Sequence, residues 1–278
     1  MQLFVKFLKY PFLMKYKISF VGAGNVAWHL AQALETAGHH IREVFSQDIA
    51  NAELLCTHLY DATAKENLDF SQSDAQILLI AVADDALESV LSNLIVPHFM
   101  IVAHTSGTKP LSIFENNTTE CAYNYGVFYP LQTFSKQKSV DFSEIPFCIE
   151  ANDALILDIL QNIAKTLSKN VLPISSKERQ ILHVAAVFAC NFVNHLLAIS
   201  KNILDENHLD FKMLVPLIKE TIHKALLESP ENVQTGPAKR KDFKTIEKHL
   251  QFLSKENDVN NMHKEIYKML TESIVKGF

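Results

Sequence analysis

A short glycine-containing turn constrains this chain more than any other feature of its sequence. The segment Gly22 to Ala27, Gly-Ala-Gly-Asn-Val-Ala, follows a β-branched and aromatic run and opens a helical pattern. Gly22 permits a tight turn, Gly24 lets the backbone approach a phosphate, and Ala27 allows the helix to pack closely on the strand. The N–H groups of Asn25 and Val26 lie at the positive end of that helix, where they can bind phosphate oxygens. The turn predicts a dinucleotide-binding fold, with an empty fold of the same type as the alternative.

Strand-like and helical patterns alternate through the first half of the chain. After the first strand and helix, further strands are predicted over 41–46, 75–82, 99–103, 123–129 and 146–150. Continuous apolar runs such as 75–82 are typical of strands covered on both faces of a parallel sheet. The alternation predicts an α/β fold, a doubly wound parallel Rossmann sheet with right-handed crossovers.

The pattern changes from strands to helices after about residue 151. Helical periodicity dominates 155–167, 177–206, 211–228, 242–255 and 258–275. We therefore predict a dinucleotide-binding domain over 14–150 and an all-helical domain for substrate binding and dimerisation over 151–278. Residues 1–13 are predicted to be an N-terminal extension, because Met14 stands just before the first strand as an alternative start.

Charge and cysteine usage exclude several classes of partner. The net charge is −5, whereas a nucleic-acid-binding protein normally carries a strongly basic face. The four cysteines are widely spaced with no Cys-x-x-Cys pair, which indicates a reducing cytoplasm and no zinc site. We find no uninterrupted apolar run that approaches the ~20 residues of a membrane span. The sequence predicts a cytoplasmic protein with no metal, no nucleic-acid partner and no membrane contact.

The residues after the second strand bear on the choice between NAD and NADP. An acidic side chain there binds the ribose 2′-hydroxyl of NAD, and an arginine accepts the 2′-phosphate of NADP. The segment reads Ser46-Gln47-Asp48, in which Ser46 can hydrogen-bond either group, Gln47 is neutral and Asp48 lies slightly late. Ser46 and Gln47 are therefore candidate cofactor-binding residues, and these residues alone leave the choice open.

Four further stretches resemble a known family. They are Ala81–Ala86 (AVADDA), His104–Gly107 (HTSG), Tyr129–Phe134 (YPLQTF) and Thr235–Asp242 (TGPAKRKD). With 183–191 and the glycine turn, they resemble a Rossmann-like family of NAD(P) oxidoreductases whose helical C-terminal domain has no assigned function. That family is related to pyrroline-5-carboxylate reductases and deazaflavin-dependent NADP oxidoreductases.

The resemblance implies a nicotinamide cofactor and a small-molecule substrate. It favours NADP over NAD and adds Ala83, in the AVADDA stretch, to the candidate cofactor-binding residues. The chain departs from the family at three positions. Gln47 stands where the family usually has arginine, and this weakens the preference for NADP. Tyr129 stands in place of histidine, and Lys241 stands in place of glycine.

Polar turns follow two of the predicted strands. Ligands of open α/β sheets bind outside the carboxyl ends of the strands, where His104 and Ser106 follow one strand and Gln132 and Thr133 follow the next. We expect Ser106 at the cofactor, Gln132 and Thr133 at the substrate, and His104 as a reserve catalytic group. Ordinary turn chemistry is the alternative reading of these residues.

The long helix carries the first candidate for proton transfer. His183, Val187, Asn191 and Asn194 follow steps of four, four and three, which keep them near one face of an α-helix. In related β-hydroxyacid dehydrogenases a lysine lies one turn before the corresponding asparagine, and here that place is Val187. Histidine is the usual side chain for proton transfer at neutral pH, so His183 is predicted to be the catalytic acid, with Asn191 orienting the substrate. A hydrogen-bonded structural histidine is the alternative.

A basic turn near the C-terminus completes the candidate set. Thr235-Gly236-Pro237 makes a rigid turn before Lys239 and Arg240, which can bind an anionic substrate or a cofactor phosphate through charge-assisted hydrogen bonds. A solvated basic loop is the alternative.

These residues predict an NAD(P)-dependent oxidoreductase that transfers hydride to or from a C=O or C=N carbon. The alternative is a non-catalytic dinucleotide-binding redox sensor. We also expect a homodimer through the helical half, because apolar faces of several consecutive helices need burial and two-fold dimers are the commonest oligomers.

Overall fold

The computed structural model describes residues 15–116, 123–254 and 258–277. The predicted N-terminal extension, residues 1–13, lies outside the described residues. The strands are β1 (Lys17–Val21), β2 (His40–Phe45), β3 (Thr63–Lys65), β4 (Ile77–Ile80), β5 (Ile101–His104), β6 (Asn124–Pro130), β7 (Phe147–Ala151) and β8 (Val171–Pro173). The α-helices are α1 (Asn25–Thr36), α2 (Ile49–Cys56), α3 (Leu87–Asn93), α4 (Ile113–Asn116), α5 (Ala154–Lys165), α6 (Ser176–Ala186), α7 (Val193–Glu206), α8 (Val215–Leu227), α9 (Pro230–Val233), α10 (Phe243–Phe252) and α11 (Asp258–Lys276).

The eight strands form one sheet in the order β3-β2-β1-β4-β5-β6-β7-β8. All neighbours pair in parallel except β6 and β7, which are antiparallel. The strand order reverses beside β1, so the carboxyl ends of β1 and β4 form the crevice where ligands of such sheets bind. The predicted fold class, a doubly wound and mostly parallel Rossmann sheet followed by helices, is confirmed.

Apolar side chains are buried on both faces of this sheet. In β4, Ile77 and Leu79 belong to one cluster and Leu78 and Ile80 to another, because successive side chains of a strand point to opposite faces. Helix α1 covers the first cluster through buried Leu30 and other apolar residues, while α3 and α4 cover the second. Burial on both faces explains why the strands read as continuous apolar runs.

The chain divides into two compact units, one ending at Cys190 and one beginning at Asn191. The predicted boundary at 150/151 falls at the end of β7, and the sheet gains one more strand, β8, beyond it. The helix α6 that follows belongs to the first unit. His183 therefore lies in the same unit as the sheet, whereas Asn191 begins the second.

The long helical stretch is not α-helical throughout. A π-helical segment, Val187–Phe192, separates α6 from α7. The predicted alignment of His183 and Asn191 on one face assumed α-helical steps, and it stays a prediction. Segments of this kind occur frequently at functional sites.

Candidate functional site

The turn after β1 has the geometry that a bound dinucleotide requires. Gly22 has a φ of 107°, and a Cβ there would lie 2.3 Å from the carbonyl oxygen of Ala81, so the turn needs glycine. Gly24 precedes α1 with an extended backbone, and nothing lies within 4 Å of the position its Cβ would take. No described side chain caps α1, and its first turn carries no acidic residue. The first N–H groups of the helix, including those of Asn25 and Val26, therefore fit a pyrophosphate.

The end of β2 lies beside this turn, since the Gly22 amide donates to the Phe45 carbonyl at 2.7 Å. Ser46 is half-buried and Gln47 is exposed. The Asp48 carboxylate caps α2 by accepting from the Ala50 amide at 3.1 Å. This cap explains an acidic residue at that position without a ribose contact, and Ser46 and Gln47 are the polar residues between it and the end of β2.

The turns after β4 and β5 are tied together by side chains. The Ser106 hydroxyl accepts from the Thr108 amide at 3.1 Å and from the Lys109 amide at 3.0 Å. The Thr108 hydroxyl donates to the carboxylate of Asp84, which follows exposed Ala83 in the turn after β4. Ser106 therefore performs the turn chemistry that the sequence offered as its alternative role, and it stabilises the edge of the sheet next to the glycine turn.

His183 meets the sheet at Gly107 and Tyr129. Its Nδ1 atom lies 3.1 Å from the Tyr129 hydroxyl, and the two rings contact edge to face. A Cβ on Gly107 would lie 2.5 Å from that Nδ1 and 2.9 Å from Cζ of Tyr129. Gly107 thus provides the space in which the pair forms. Both side chains are half-buried at the carboxyl ends of β5 and β6.

The surroundings of Tyr129 keep its hydroxyl protonated. Burial raises the pKa of Tyr129 to about 12, with Cys148 and Asp84 acting in the same direction and Arg179 against them. Tyr129 is therefore a neutral hydrogen-bonding group at any physiological pH. Tyr129 was not among the candidates chosen from the sequence, although its place at the end of a predicted strand and its departure from the family were visible.

A buried ion pair fixes the start of α6 against the sheet. The guanidinium of Arg179, fully buried, donates to the Glu150 carboxylate at 2.6 Å and to the Lys109 carbonyl at 2.6 Å. The Ser176 hydroxyl also donates to Glu150, at 2.7 Å, and accepts from the Leu111 amide at 2.8 Å. Arg179 lies four residues before His183, so this network sets the position of the helix face that carries the histidine.

His104 does not face the candidate site. Its side chain is fully buried, stacks on Phe114 with 5.6 Å between ring centroids, and accepts the Ser106 amide through Nδ1. Burial lowers the pKa of His104 to about 3, and the positive charge of Arg179 acts in the same direction. A neutral ring enclosed in the core cannot reach a substrate, so the geometry corrects its reserve catalytic role.

The remaining predicted residues are exposed. Gln132 and Thr133 are exposed and line a separate cavity of about 330 Å³ with the loop that follows β6. Asn191, Lys239 and Arg240 are exposed and belong to the second unit. Among the described residues, no group of three or more His, Cys, Asp or Glu side chains could hold a metal ion.

Comparisons with known proteins agree with this architecture. A Rossmann-like domain matches residues 13–127, and a domain of unknown function, DUF2520, matches 145–274. A Bacteroides fragilis protein, described as a "putative NADP oxidoreductase", is 36% identical with a TM-score of 0.85, covering 95% of this chain and 99% of its own. The chain therefore belongs to the same family as that protein, which confirms the family resemblance that the motifs indicated.

More distant structures share the fold. A Thermotoga maritima protein is 24% identical with a TM-score of 0.62, covering 93% of this chain and 98% of its own. An imine reductase from Myxococcus stipitatus, solved with NADP⁺, is 13% identical with a TM-score of 0.62, covering 94% and 93%. No protein with a curated description matches the chain significantly in sequence.

Proposed function

We propose that this protein is an NADP-dependent oxidoreductase that reduces a C=O or C=N carbon of a small substrate. One observation carries the proposal: the glycine turn after β1 and the half-buried Tyr129–His183 pair lie at the carboxyl edge of the same sheet. The first has the backbone for a pyrophosphate, and the second holds a histidine ring against a tyrosine hydroxyl at hydrogen-bonding distance. The family relationship to a protein named for NADP oxidoreduction supports the same assignment.

Each part of the site has a defined task in this proposal. A bound nicotinamide cofactor supplies the hydride. The N–H groups of Asn25 and Val26 hold its pyrophosphate, and Ser46 and Gln47 face its adenosine ribose. Reduction leaves a heteroatom that must gain a proton, and His183 is the acid that provides it. His183 is also the candidate that the sequence selected.

NADP is favoured over NAD because no acidic side chain is available to the ribose at the end of β2. Asp48 is engaged in capping α2, and Gln47 carries no negative charge that would repel a 2′-phosphate. Isothermal titration with NADPH and NADH tests this choice. Tighter binding of NADH would reverse the assignment of the cofactor without affecting the assignment of the fold.

A non-catalytic redox sensor is the second candidate, and one observation favours it. Val187 stands where related dehydrogenases keep a lysine, and it begins a π-helical segment. The two candidates differ in turnover. The full-length protein should oxidise NADPH in the presence of a carbonyl or imine compound, measured as loss of nicotinamide absorbance. Binding of NADPH with no turnover across a broad panel of both substrate classes would favour the sensor.

We also propose that the helical half is covered by a second copy of this chain. The continuous helix Ser176–Glu206 is long and apolar enough to cross a membrane by length and composition alone, and none of its apolar window is buried. Its beginning is nevertheless fixed to the sheet by the fully buried Arg179. Leu226 and Leu227 of α8 are 81% and 71% exposed. Exposed apolar surface of this extent marks an interaction site in a folded protein.

Light scattering at micromolar concentration should give the mass of a dimer. Leu226→Glu should weaken the dimer, whereas Tyr60→Glu, at a 95% exposed position of the sheet unit, should not. A monomeric mass, or binding to lipid vesicles in place of dimerisation, would contradict the proposal. Cytoplasmic location and the absence of a nucleic-acid partner stay predictions.

A further inference from the structure

The contact between Tyr129 and His183 carries information about which ring nitrogen of the histidine holds the proton. A neutral histidine carries one N–H, on Nδ1 or Nε2, and the partner of one nitrogen selects the tautomer. Here Nδ1 faces a phenol at 3.1 Å. We infer that Tyr129 is a positioning residue that holds neutral His183 in the Nε2–H tautomer. This inference rests on the proposed function only where it concerns turnover.

The chemistry of the phenol gives the direction of the hydrogen bond. A tyrosine hydroxyl can donate one hydrogen and accept others, and a neutral imidazole presents one acceptor nitrogen. Burial raises the pKa of Tyr129 to about 12, so the hydroxyl keeps its hydrogen. Among the described side chains, Nδ1 of His183 is the acceptor placed at hydrogen-bonding distance from this hydroxyl. With Tyr129 donating, the histidine proton is left on Nε2, the atom that does not face the tyrosine.

The pair is held from three sides, which makes one tautomer selectable. Gly107 leaves the space that both rings occupy, since a Cβ there would overlap each of them. The Arg179–Glu150 ion pair fixes α6 one turn before His183. Tyr129 lies in a strand paired with both β5 and β7. Neither ring can rotate away without losing a contact that its backbone is positioned to make.

Consequently Nε2 of His183 is the nitrogen available to a substrate. To act as an acid, the ring takes up a second proton from solvent on Nδ1, and the Tyr129 hydroxyl then accepts that N–H and keeps the ring oriented. The Nε2 proton passes to the heteroatom of the reduced product and leaves a neutral ring, and proton exchange with solvent restores the Nε2–H tautomer. Without the tyrosine hydroxyl, the ring would populate both tautomers. A fraction of the molecules would then present an unprotonated Nε2, a hydrogen-bond acceptor, to the substrate. The tyrosine therefore acts through the histidine and does not itself touch the reacting atoms.

Nitrogen-15 spectra of the histidine rings test this directly in the full-length, cofactor-free protein. At about pH 9, above the ordinary histidine range, wild-type His183 should show a protonated-type Nε2 and an unprotonated-type Nδ1. His183→Gln identifies the signals by their loss. Tyr129→Phe should give averaged shifts for the two nitrogens, while Tyr125→Phe, in the same strand but with its hydroxyl on Glu115, should leave them unchanged. A proton on Nδ1 in the wild type, or no change in Tyr129→Phe, would overturn the inference.

Turnover provides the second readout. Tyr129→Phe should lower kcat roughly tenfold, the effect of one lost hydrogen bond, with KM for the substrate nearly unchanged. Tyr129→His restores a hydrogen-bonding group and should recover part of the loss. The spectra require no substrate, so a correct tautomer without any turnover would refute the proposed function and leave the tautomer assignment standing. Turnover with an unaltered kcat in Tyr129→Phe would support the proposed function and refute the positioning role of Tyr129.

Discussion

The turns after β1 and β5 both depend on glycine, but for different physical reasons. At Gly22 the backbone itself requires glycine, because φ is 107° and the Ala81 carbonyl would overlap a Cβ. At Gly107 the requirement comes from the side chains of Tyr129 and His183, which occupy the place of a Cβ. The backbone of the first turn is therefore constrained before any ligand binds. The second turn leaves a space at Gly107, which is filled by side chains that are distant in the chain.

This difference suits the two tasks proposed for the edge of the sheet. A pyrophosphate is bound by backbone N–H groups, whose positions a rigid turn fixes in advance. A proton is transferred by a side chain, which must be held but must also meet a substrate. In the proposed function, main-chain geometry therefore serves the cofactor and side-chain packing serves the reaction, and each can be disturbed separately.

The largest effect is expected when the side chain proposed for proton transfer, His183, is replaced. His183→Gln should lower turnover by ~10²–10⁴-fold, as expected for loss of general acid catalysis, because glutamine cannot release a proton. Affinity for NADPH, measured by titration, should change little, since the pyrophosphate is bound at the other turn. His223→Gln, at an exposed position of α8, is the matched control. Equal turnover in both variants would return His183 to a structural role.

The next largest effect is expected when the backbone turn after β1 is changed. Gly24→Val should weaken NADPH binding at least about tenfold, ~1.4 kcal/mol or more, by placing a branched side chain where the pyrophosphate approaches. The extended backbone of Gly24 and the open space around it predict that this variant folds normally. Gly22→Ala should instead lower the unfolding midpoint, because that turn has no room. Thermal unfolding and titration of both variants separate the two glycines, and normal affinity in folded Gly24→Val would remove the turn from the site.

A smaller effect is expected when a side chain is added at Gly107. Gly107→Ala would place a methyl group against two aromatic rings, and these can move more easily than backbone. We expect a folded protein in which the Tyr129–His183 bond is broken and kcat falls roughly tenfold, the cost of about one hydrogen bond. Circular dichroism checks the fold and steady-state kinetics the rate. If kcat stays at the wild-type value, the contact does not position the histidine.

The same comparison explains what the sequence could and could not predict. The glycine turn was predictable because its strand, turn and helix are contiguous in the chain, and the continuous apolar runs predicted the buried parallel strands. Tyr129, Gly107 and Arg179 were not selected, because their roles depend on α6 packing against strand ends that lie far away in the sequence. The reserve catalytic role of His104 was wrong for the same reason: its place at the end of a strand suggested the ligand crevice, but its side chain is buried in the core. Local periodicity also gave no sign of the π-helical segment.

The last and smallest prediction concerns a position where glycine is expected and absent. Lys241 has a φ of 55°, in the left-handed region, at the end of the basic turn before α10. The left-handed conformation costs a non-glycine residue roughly 1–2 kcal/mol, part of which glycine loses again through the greater freedom of its unfolded chain. Lys241→Gly should therefore raise the free energy of unfolding by about 1 kcal/mol, a shift of a few degrees in Tm.

Lys241→Ala removes the same charge but keeps the strained backbone, so it should not stabilise. If both variants stabilise equally, charge repulsion in the basic turn, and not the conformation of Lys241, is the cause. A fall in stability for Lys241→Gly would show that the lysine side chain makes a stabilising contact that outweighs its strain.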